Sequence, residues 1–354
     1  MKARSLPILA VACILLSVGT TAQEEPRFLL SPPPGDGPVV VRVGFFLSDV
    51  NRIDVEQQHF EVEGVLTLTW QDDRLAFDPK VVGVEEKVFQ GNYQFSEIAT
   101  GWWPQLVLAN ESGGYERQGL VLRNRYDGSM TYVEELNAVA EMPVELRRFP
   151  FDRERFELIF EVLGFDQDEV VLVVDSSTTG TPAKGISLSE WQLEGMHGSS
   201  GDHDPVYLDG RQEMSSAVVV ALDLARHPGF MLRVVVFPMV LLVMLSWSVF
   251  WMDRESLGER MDISFIGILT VVAYQIMVSS TIPRIPYFTL MSAFIYTSFV
   301  TMCASVVVNL VVGRMDRTGR RELGDRIDRR CRWVFPTMYA TLLLVAATYF
   351  FVRY

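Results

Sequence analysis

Residues 258–280 read GERMDISFIGILTVVAYQIMVSS, a segment apolar enough to cross a membrane that nevertheless opens with Glu259, Arg260 and Asp262. Ionised groups are costly inside a bilayer and face a cavity, a partner or water. With 3.6 residues per turn, Glu259, Asp262, Ile266, Leu269, Ala273, Ile276 and Ser280 fall on one helical stripe. That stripe is about 100° wide and about 32 Å long, close to the thickness of a hydrocarbon core. Its order is acid, acid, apolar, apolar, small, apolar, polar. One helix cannot shelter such a stripe from lipid. The pattern therefore predicts several copies around a shared axis, with an acidic inner mouth and a hydrophobic constriction, both of which are means of selecting and gating ions. Capping competes for Glu259, because Ser256-Leu257-Gly258-Glu259 fits a capping box and first-turn acids complement the helix dipole. The two roles are compatible, since a capped helix can still line a pore. Asp262 lies a turn further in, beyond the reach of capping. Neighbouring carboxylates about 7 Å apart, at an effective dielectric of about 20, repel by about 2.4 kcal/mol per pair. A ring of Asp262 side chains must then hold cations or share protons. The stripe thus predicts a cation path, with Glu259 and Asp262 selecting and Ile266, Leu269 and Ile276 closing by dewetting.

This segment is one of four apolar stretches that fill the last third of the chain. They lie at 230–252, 261–282, 287–312 and 333–352, each near the ~20 residues a spanning helix needs. The connection 313–332 carries eight Arg against four acids, which by the positive-inside tendency makes it a short cytoplasmic loop. At the other end, Lys2 and Arg4, the apolar run LPILAVACILLSVG, and Thr20 and Ala22 read as a signal peptide over 1–22. A cleaved signal and four spans place both termini outside. The exported region 23–229 holds no cysteine and carries 36 Asp and Glu against 16 Lys and Arg. It folds without disulfides, and its acidic surface repels nucleic acid and gathers cations.

The exported region reads as β. In HFEVEGVLTLTW (59–70), Phe60, Val62, Leu66, Leu68 and Trp70 alternate with polar residues, the period of a half-buried strand. FELIFEVL (156–163) repeats the pattern. Asp127-Gly128, between LVLRNRY and SMTYV, is a two-residue hairpin signal. Further strands are expected at 39–47, 169–175 and 216–224, and GMHGSSGDHDP (195–205) as a mobile hairpin tip. Many short strands with turns between them predict a β-sandwich.

A resemblance enters at MPVELRRFPFDRERFEL (142–158). Phe149-Pro150-Phe151-Asp152 resembles the centre of the signature loop of pentameric ligand-gated ion channels, the Cys-loop receptor family. In animal members two cysteines flank this motif; Met142 and Phe156 stand at those positions here, as in bacterial members, which typically lack the pair. Trp70 and Asp72 of LTWQDDRLAFDP resemble the family's Trp-x-Asp strand, and Trp102 and Pro104 of WWPQLVLAN its first ligand loop. Arg226, two residues before Pro228, resembles the arginine before the first span, and Pro238 the proline within it. GERM resembles the opening of cation-selective pore helices, which places Leu269 on the central gate leucine. IPRIPY (282–287) resembles the link between the second and third spans. FPFD alone fits any β-turn and the two tryptophans alone fit a core, but six matches in order cover nearly the whole mature chain.

The resemblance implies an immunoglobulin-like β-sandwich ectodomain over 23–229, an all-α four-helix transmembrane domain over 230–354, and a homopentamer around a central pore. It implies a ligand-gated channel in a bacterial inner membrane, not an enzyme, opened by a small molecule or protons and passing monovalent cations. Gating coupling falls on Asp54, Glu56, Phe149, Pro150, Phe151, Asp152, Arg226, Pro283, Arg284 and Pro286, with Asp152 and an acid of the first hairpin around Arg226. Agonist positions at subunit interfaces fall on Ala109, Val65, Phe165 and Tyr207, an incomplete aromatic cage that puts amine agonists in doubt. No cofactor is expected. Asp202 and Asp204, with His203 and Asp209, offer a calcium or other divalent modulatory site, although a solvated hairpin tip accounts for them as well. Two other classes are weighed. A membrane-tethered sensor that never conducts would have the same architecture, and an enzyme on a membrane anchor would need a catalytic motif that does not occur here.

Overall fold

The computed structural model describes residues 31–99, 101–186, 188–204, 214–252, 257–280 and 283–354, without the side chains of Glu97, Leu257, Glu259 and Arg260. The signal peptide expected at 1–22 and the serine of the expected capping box lie outside these residues.

Ten strands build the N-terminal unit: β1 (Val39–Asp54), β2 (His59–Gln71), β3 (Glu86–Gln90), β4 (Leu106–Leu108), β5 (Glu111–Arg125), β6 (Ser129–Glu141), β7 (Arg153–Val162), β8 (Val170–Val174), β9 (Trp191–His203) and β10 (Ser215–Arg226). They form a six-stranded sheet, in the order β3-β5-β6-β2-β1-β8, and a four-stranded sheet, β4-β7-β10-β9. The period-two pattern sets the faces. From Phe60 to Trp70 every even-numbered residue of β2 is buried and every odd one is half-exposed. The rows that face inward meet between the sheets, where Phe45 packs on Phe160 at 5.5 Å and Phe60 on Phe156 at 5.1 Å between ring centroids. Gly64 interrupts the inward row of β2 because a Cβ there would lie 2.4 Å from the Phe45 ring. Asp127-Gly128 makes the β5–β6 turn, with Gly128 at φ 82°.

Two expectations about this unit need correction. The segment 195–205 is not a hairpin tip: β9 runs through it, paired with β10 from Trp191↔Arg226 to His203↔Ser215. Its glycines and serines read as a loop, but the cross-strand ladder satisfies their backbone groups, and the connection begins only at Asp204. β1 likewise extends past Leu47 to Asp54, with two irregularities in its pairing to β2 that let polar residues join the strand.

Four helices follow: α1 (Gly229–Trp251), α2 (Leu257–Ser279), α3 (Leu290–Arg317) and α4 (Arg321–Arg353). Each is long and apolar enough to cross a membrane. α1 contains a widened turn at Leu232–Val236, directly before Pro238, whose ring has no N–H to give the preceding turn. The Thr289 hydroxyl accepts from the Ser292 amide at 3.0 Å and caps α3. The stretch 313–332 is corrected from loop to helix. α3 continues to Arg317 and α4 starts at Arg321, with Gly319 at φ 76° in the turn between them. Hydropathy ends where the arginines begin, whereas arginine is a good helix former and carries both helices beyond the apolar zone.

The two units share a hydrophobic core at their junction. Leu146 and Phe149, in the connection between β6 and β7, are buried among residues of the helical unit that include Met231, Val235 and Met291.

Candidate functional site: the sandwich–membrane seam and the second helix

The strand register builds the seam. Ala225 of β10 pairs with Arg153 of β7, so the next step brings Arg226 opposite Asp152. The Arg226 amide donates to the Asp152 carbonyl at 3.1 Å, and its Nε donates to the two carboxylate oxygens at 2.9 and 3.1 Å. β9 places Trp191 beside Arg226 on the other flank. The guanidinium carbon lies 4.1 Å from the Trp191 ring centroid and 5.1 Å from that of Phe149. Both side chains of the ion pair are buried, and Glu190 approaches Nη1 at 3.7 Å. A desolvated, hydrogen-bonded pair clamped between aromatic rings fixes one geometry between the last strand and the first helix.

One step along β7, Glu154 stands in the inward row and accepts from the Glu145 amide at 3.1 and 3.2 Å. Burial pushes its carboxyl up to about 7; the Glu145 amide opposes that rise and the nearby Asp152 adds to it. The link between α2 and α3 closes on the same loop. The Leu146 amide donates to the Tyr287 hydroxyl at 3.1 Å, and that hydroxyl donates to the Val144 carbonyl at 3.4 Å. The Arg147 guanidinium lies 4.8 Å from the Tyr287 ring and 4.4 Å from the Tyr354 ring, while Phe151 packs on Phe351 at 5.7 Å.

The first hairpin takes a different position from the one expected. Asp54 pairs with Arg52 at 2.7 Å and accepts from the Gln57 amide at 3.0 Å, so the carboxylates at Arg226 are those of Asp152 and Glu190. Glu56 instead lines a cleft with Ile276, Ser279, Ser280, Pro283 and Arg284, at the outer end of α2. Pro286, three residues after Pro283 in the same link, is exposed.

On α2, Ser264, Gly267, Val271 and Val278 are buried against the other helices, and a Cβ on Gly267 would lie 2.3 Å from the Met302 methyl. Asp262, Ile266, Leu269, Ala273, Ile276 and Ser280 are all exposed. The largest of these, Ile266, Leu269 and Ile276, are 64, 72 and 65% accessible. The Glu259 backbone is helical and in line with them.

Two family models match the chain. The neurotransmitter-gated ion-channel ligand-binding domain matches residues 27–228, and the neurotransmitter-gated ion-channel transmembrane region matches residues 235–324. The chain belongs to the neurotransmitter-gated ion channels. It is similar to a proton-gated ion channel of Gloeobacter violaceus, 25% identical over 325 residues that cover 91% of this chain and 87% of the relative. It is also similar to the gamma-aminobutyric acid receptor subunit gamma-4 of Gallus gallus, 24% identical over 80% of this chain, and to subunit rho-2 of Homo sapiens, 23% identical over 90%. The chain spans 62% and 66% of the length of those two receptor subunits. As a member of this channel family it has an extracellular N-terminal ligand-binding unit and a transmembrane helical unit.

In this ion-channel fold the described agonist positions fall on different elements of the two sheets. Phe165 follows β7 and meets Trp102 edge-on at 5.8 Å. Ala109 donates its amide to the Ile159 carbonyl at 2.7 Å, on the four-stranded side. Val65 is on the face of β2 that points away from the core. Tyr207 and Asp209 are outside the described residues. Among those described, no group of three His, Cys, Asp or Glu side chains could hold a metal ion. Asp202 is exposed on β9, Asp204 follows it, and the His203 ring turns to buried Glu161 at 3.4 Å. Sequence inspection missed Glu154, Glu190, Trp191 and Tyr287. For Glu154 a signal existed: the inward row of FELIFEVL, extended one step back, lands on it.

Proposed function

We propose that this channel-family member is a cation-selective, ligand-gated channel of a bacterial inner membrane, assembled as a homopentamer with α2 lining its pore. The observation that carries the proposal is the exposed face of α2. Among the described residues, Asp262, Ile266, Leu269, Ala273, Ile276 and Ser280 are all exposed within one chain. An acid, apolar and small face of this kind in a membrane helix calls for an axis shared with other copies. Glu259 and Asp262 select monovalent cations, and Ile266, Leu269 and Ile276 close the path by excluding water. Agonist binds between sandwiches, with Phe165 and Ala109 offered by one subunit and Val65 by its neighbour. Binding rotates the sandwich, and the rotation passes through Phe149, Pro150, Phe151, Asp152 and Arg226 at the seam. From there, Asp54 and Glu56 of the first hairpin and Pro283, Arg284 and Pro286 of the link carry it to α2.

Protons are the first agonist to apply, because the Gloeobacter relative is named proton-gated and Glu154 is held near neutrality by burial. Divalent cations, as modulators near Asp202 and Asp204, are the second. The deciding experiment is voltage clamp of the expressed channel during pH and ligand steps, with the reversal potential measured as bath NaCl is diluted. A shift toward the sodium potential is expected. A shift toward the chloride potential refutes cation selectivity, and absence of current with protein at the surface refutes conduction.

A further inference from the structure

Asp152, Glu154 and Arg226 are buried together where β7 and β10 reach the seam, two carboxyl groups beside one guanidinium. Glu154 pairs in register with Leu224, so Asp152 lies two residues before Glu154 and Arg226 two residues after its partner, all in the inward row. Diagonal positions of this kind are about 7–8 Å apart at the backbone and within reach of a long side chain. Glu154 is 8% exposed. Among the described residues no Lys, Arg or His lies within ion-pair distance of it. Its hydrogen bonds come from a single donor, the Glu145 amide. A buried carboxylate with so few donors is costly to ionise. Burial accordingly pushes its carboxyl up to about 7; the Glu145 amide and Arg226 oppose the rise, and the Asp152 and Glu145 carboxylates add to it. Arg226 has the complementary gap. Its Nε is committed to Asp152 and its Nη1 faces half-exposed Glu190 at 3.7 Å. Its Nη2 is buried and donates to no acceptor among the described residues. The first hairpin does not fill that gap, because Asp54 is paired with Arg52.

We propose that Glu154 is a proton-controlled positioning residue for the seam: ionised, it draws the Nη2 edge of Arg226 toward itself and shares the guanidinium with Asp152; protonated, it leaves the arginine to Asp152. Ionisation releases one proton to solvent and leaves two buried carboxylates facing one guanidinium. The nearest remedy for the second carboxylate is the N–H group that Arg226 does not otherwise use, and the planar fork of an arginine can serve two acceptors at once. Such a shift moves the cation relative to the Trp191 ring, now 4.1 Å from it, and the Phe149 ring, 5.1 Å from it. Phe149 is buried in the helical unit, so both halves of the molecule register the displacement. The two protonation states of Glu154 therefore specify two seam geometries, and pH selects between them. The effect on current rests on the reading of the seam as the coupling path; the movement of Arg226 does not.

The test has two readouts on the full chain. The first is the emission of Trp191 in detergent, taken as the difference between wild type and Trp191→Phe, because a guanidinium over an indole perturbs its fluorescence. In wild type this signal is expected to change with pH in one transition with a midpoint of about 7. Glu154→Gln, neutral at every pH, should hold it at the acid limit, and Glu154→Asp, which keeps a carboxyl on a shorter arm, should shift the midpoint without abolishing the transition. The second readout is voltage clamp during pH steps across the same window. Glu154→Gln at the alkaline end is expected to give the current that wild type gives at the acid end, with no response in between. A Trp191 signal that does not titrate in wild type, or that titrates unchanged in Glu154→Gln and Glu154→Asp, overturns the proposal. A transition that depends on Glu154 while the current ignores pH upholds the movement of Arg226 and refutes the seam as the coupling path.

Discussion

Arg226 is the residue on which most of the seam converges. Replacing it by Ala leaves buried Asp152 without its partner, a loss of about 3–5 kcal/mol for a group of this kind. The expected phenotype of Arg226→Ala is a channel that reaches the surface and passes little current, checked by surface labelling and voltage clamp. Adding Asp152→Asn should recover part of the stability, because the uncompensated charge is then gone. Glu154 sets a second expectation, and its sign follows from its raised carboxyl. The folded chain holds this proton up to about pH 7, whereas the unfolded chain releases it near 4.5. The contribution of Glu154 to stability is thus complete below pH 4.5 and disappears as pH rises through about 7. Glu154→Gln should flatten the denaturation midpoint across that window, and an unchanged pH slope would show that another group carries it. Much of this was legible in advance: FPFD and the arginine before Pro228 announced the ion pair. The aromatic clamp and the role of Glu154 were not, because they depend on β9 and β7 lying on either side of β10.

At the scale of the element, α2 is the part that sequence described best. Helical periodicity alone ordered its stripe, and the stripe from Asp262 to Ser280 is exposed. If α2 lines the pore as proposed, Leu269→Ser should wet its apolar constriction and give current without agonist, measured as holding current at neutral pH. Asp262→Asn should reduce single-channel conductance while leaving the agonist threshold near its original value, since this side chain lies far from the seam. The connection between α3 and α4 was read less well. Charge made residues 313–332 read as a cytoplasmic loop, and concealed that most of them are helical. Strand β9 failed for the opposite reason: its glycines and serines have low strand preference, and only the partner strand β10 makes them regular.

For the whole molecule, sequence patterning defined a β unit and a helical unit, but not how they join. The join depends on Leu146 and Phe149, whose apolar side chains are as consistent with the sandwich core as with the helical one. Their burial in the helical unit means that part of the sandwich's own chain completes the folding of the membrane unit. Phe149→Ala should cost about 3–5 kcal/mol and lower the detergent-solubilised melting temperature, followed by tryptophan fluorescence. The same feature bears on how the molecule comes apart. Two rigid bodies joined by a simple hinge would melt in two steps, the sandwich independently of the helices. Here the connection between β6 and β7 acts as a rivet through both, so calorimetry should record one merged endotherm. A sandwich released on its own would carry an exposed apolar plug and self-associate, which makes the lipid-embedded half a folding partner of the half that faces water.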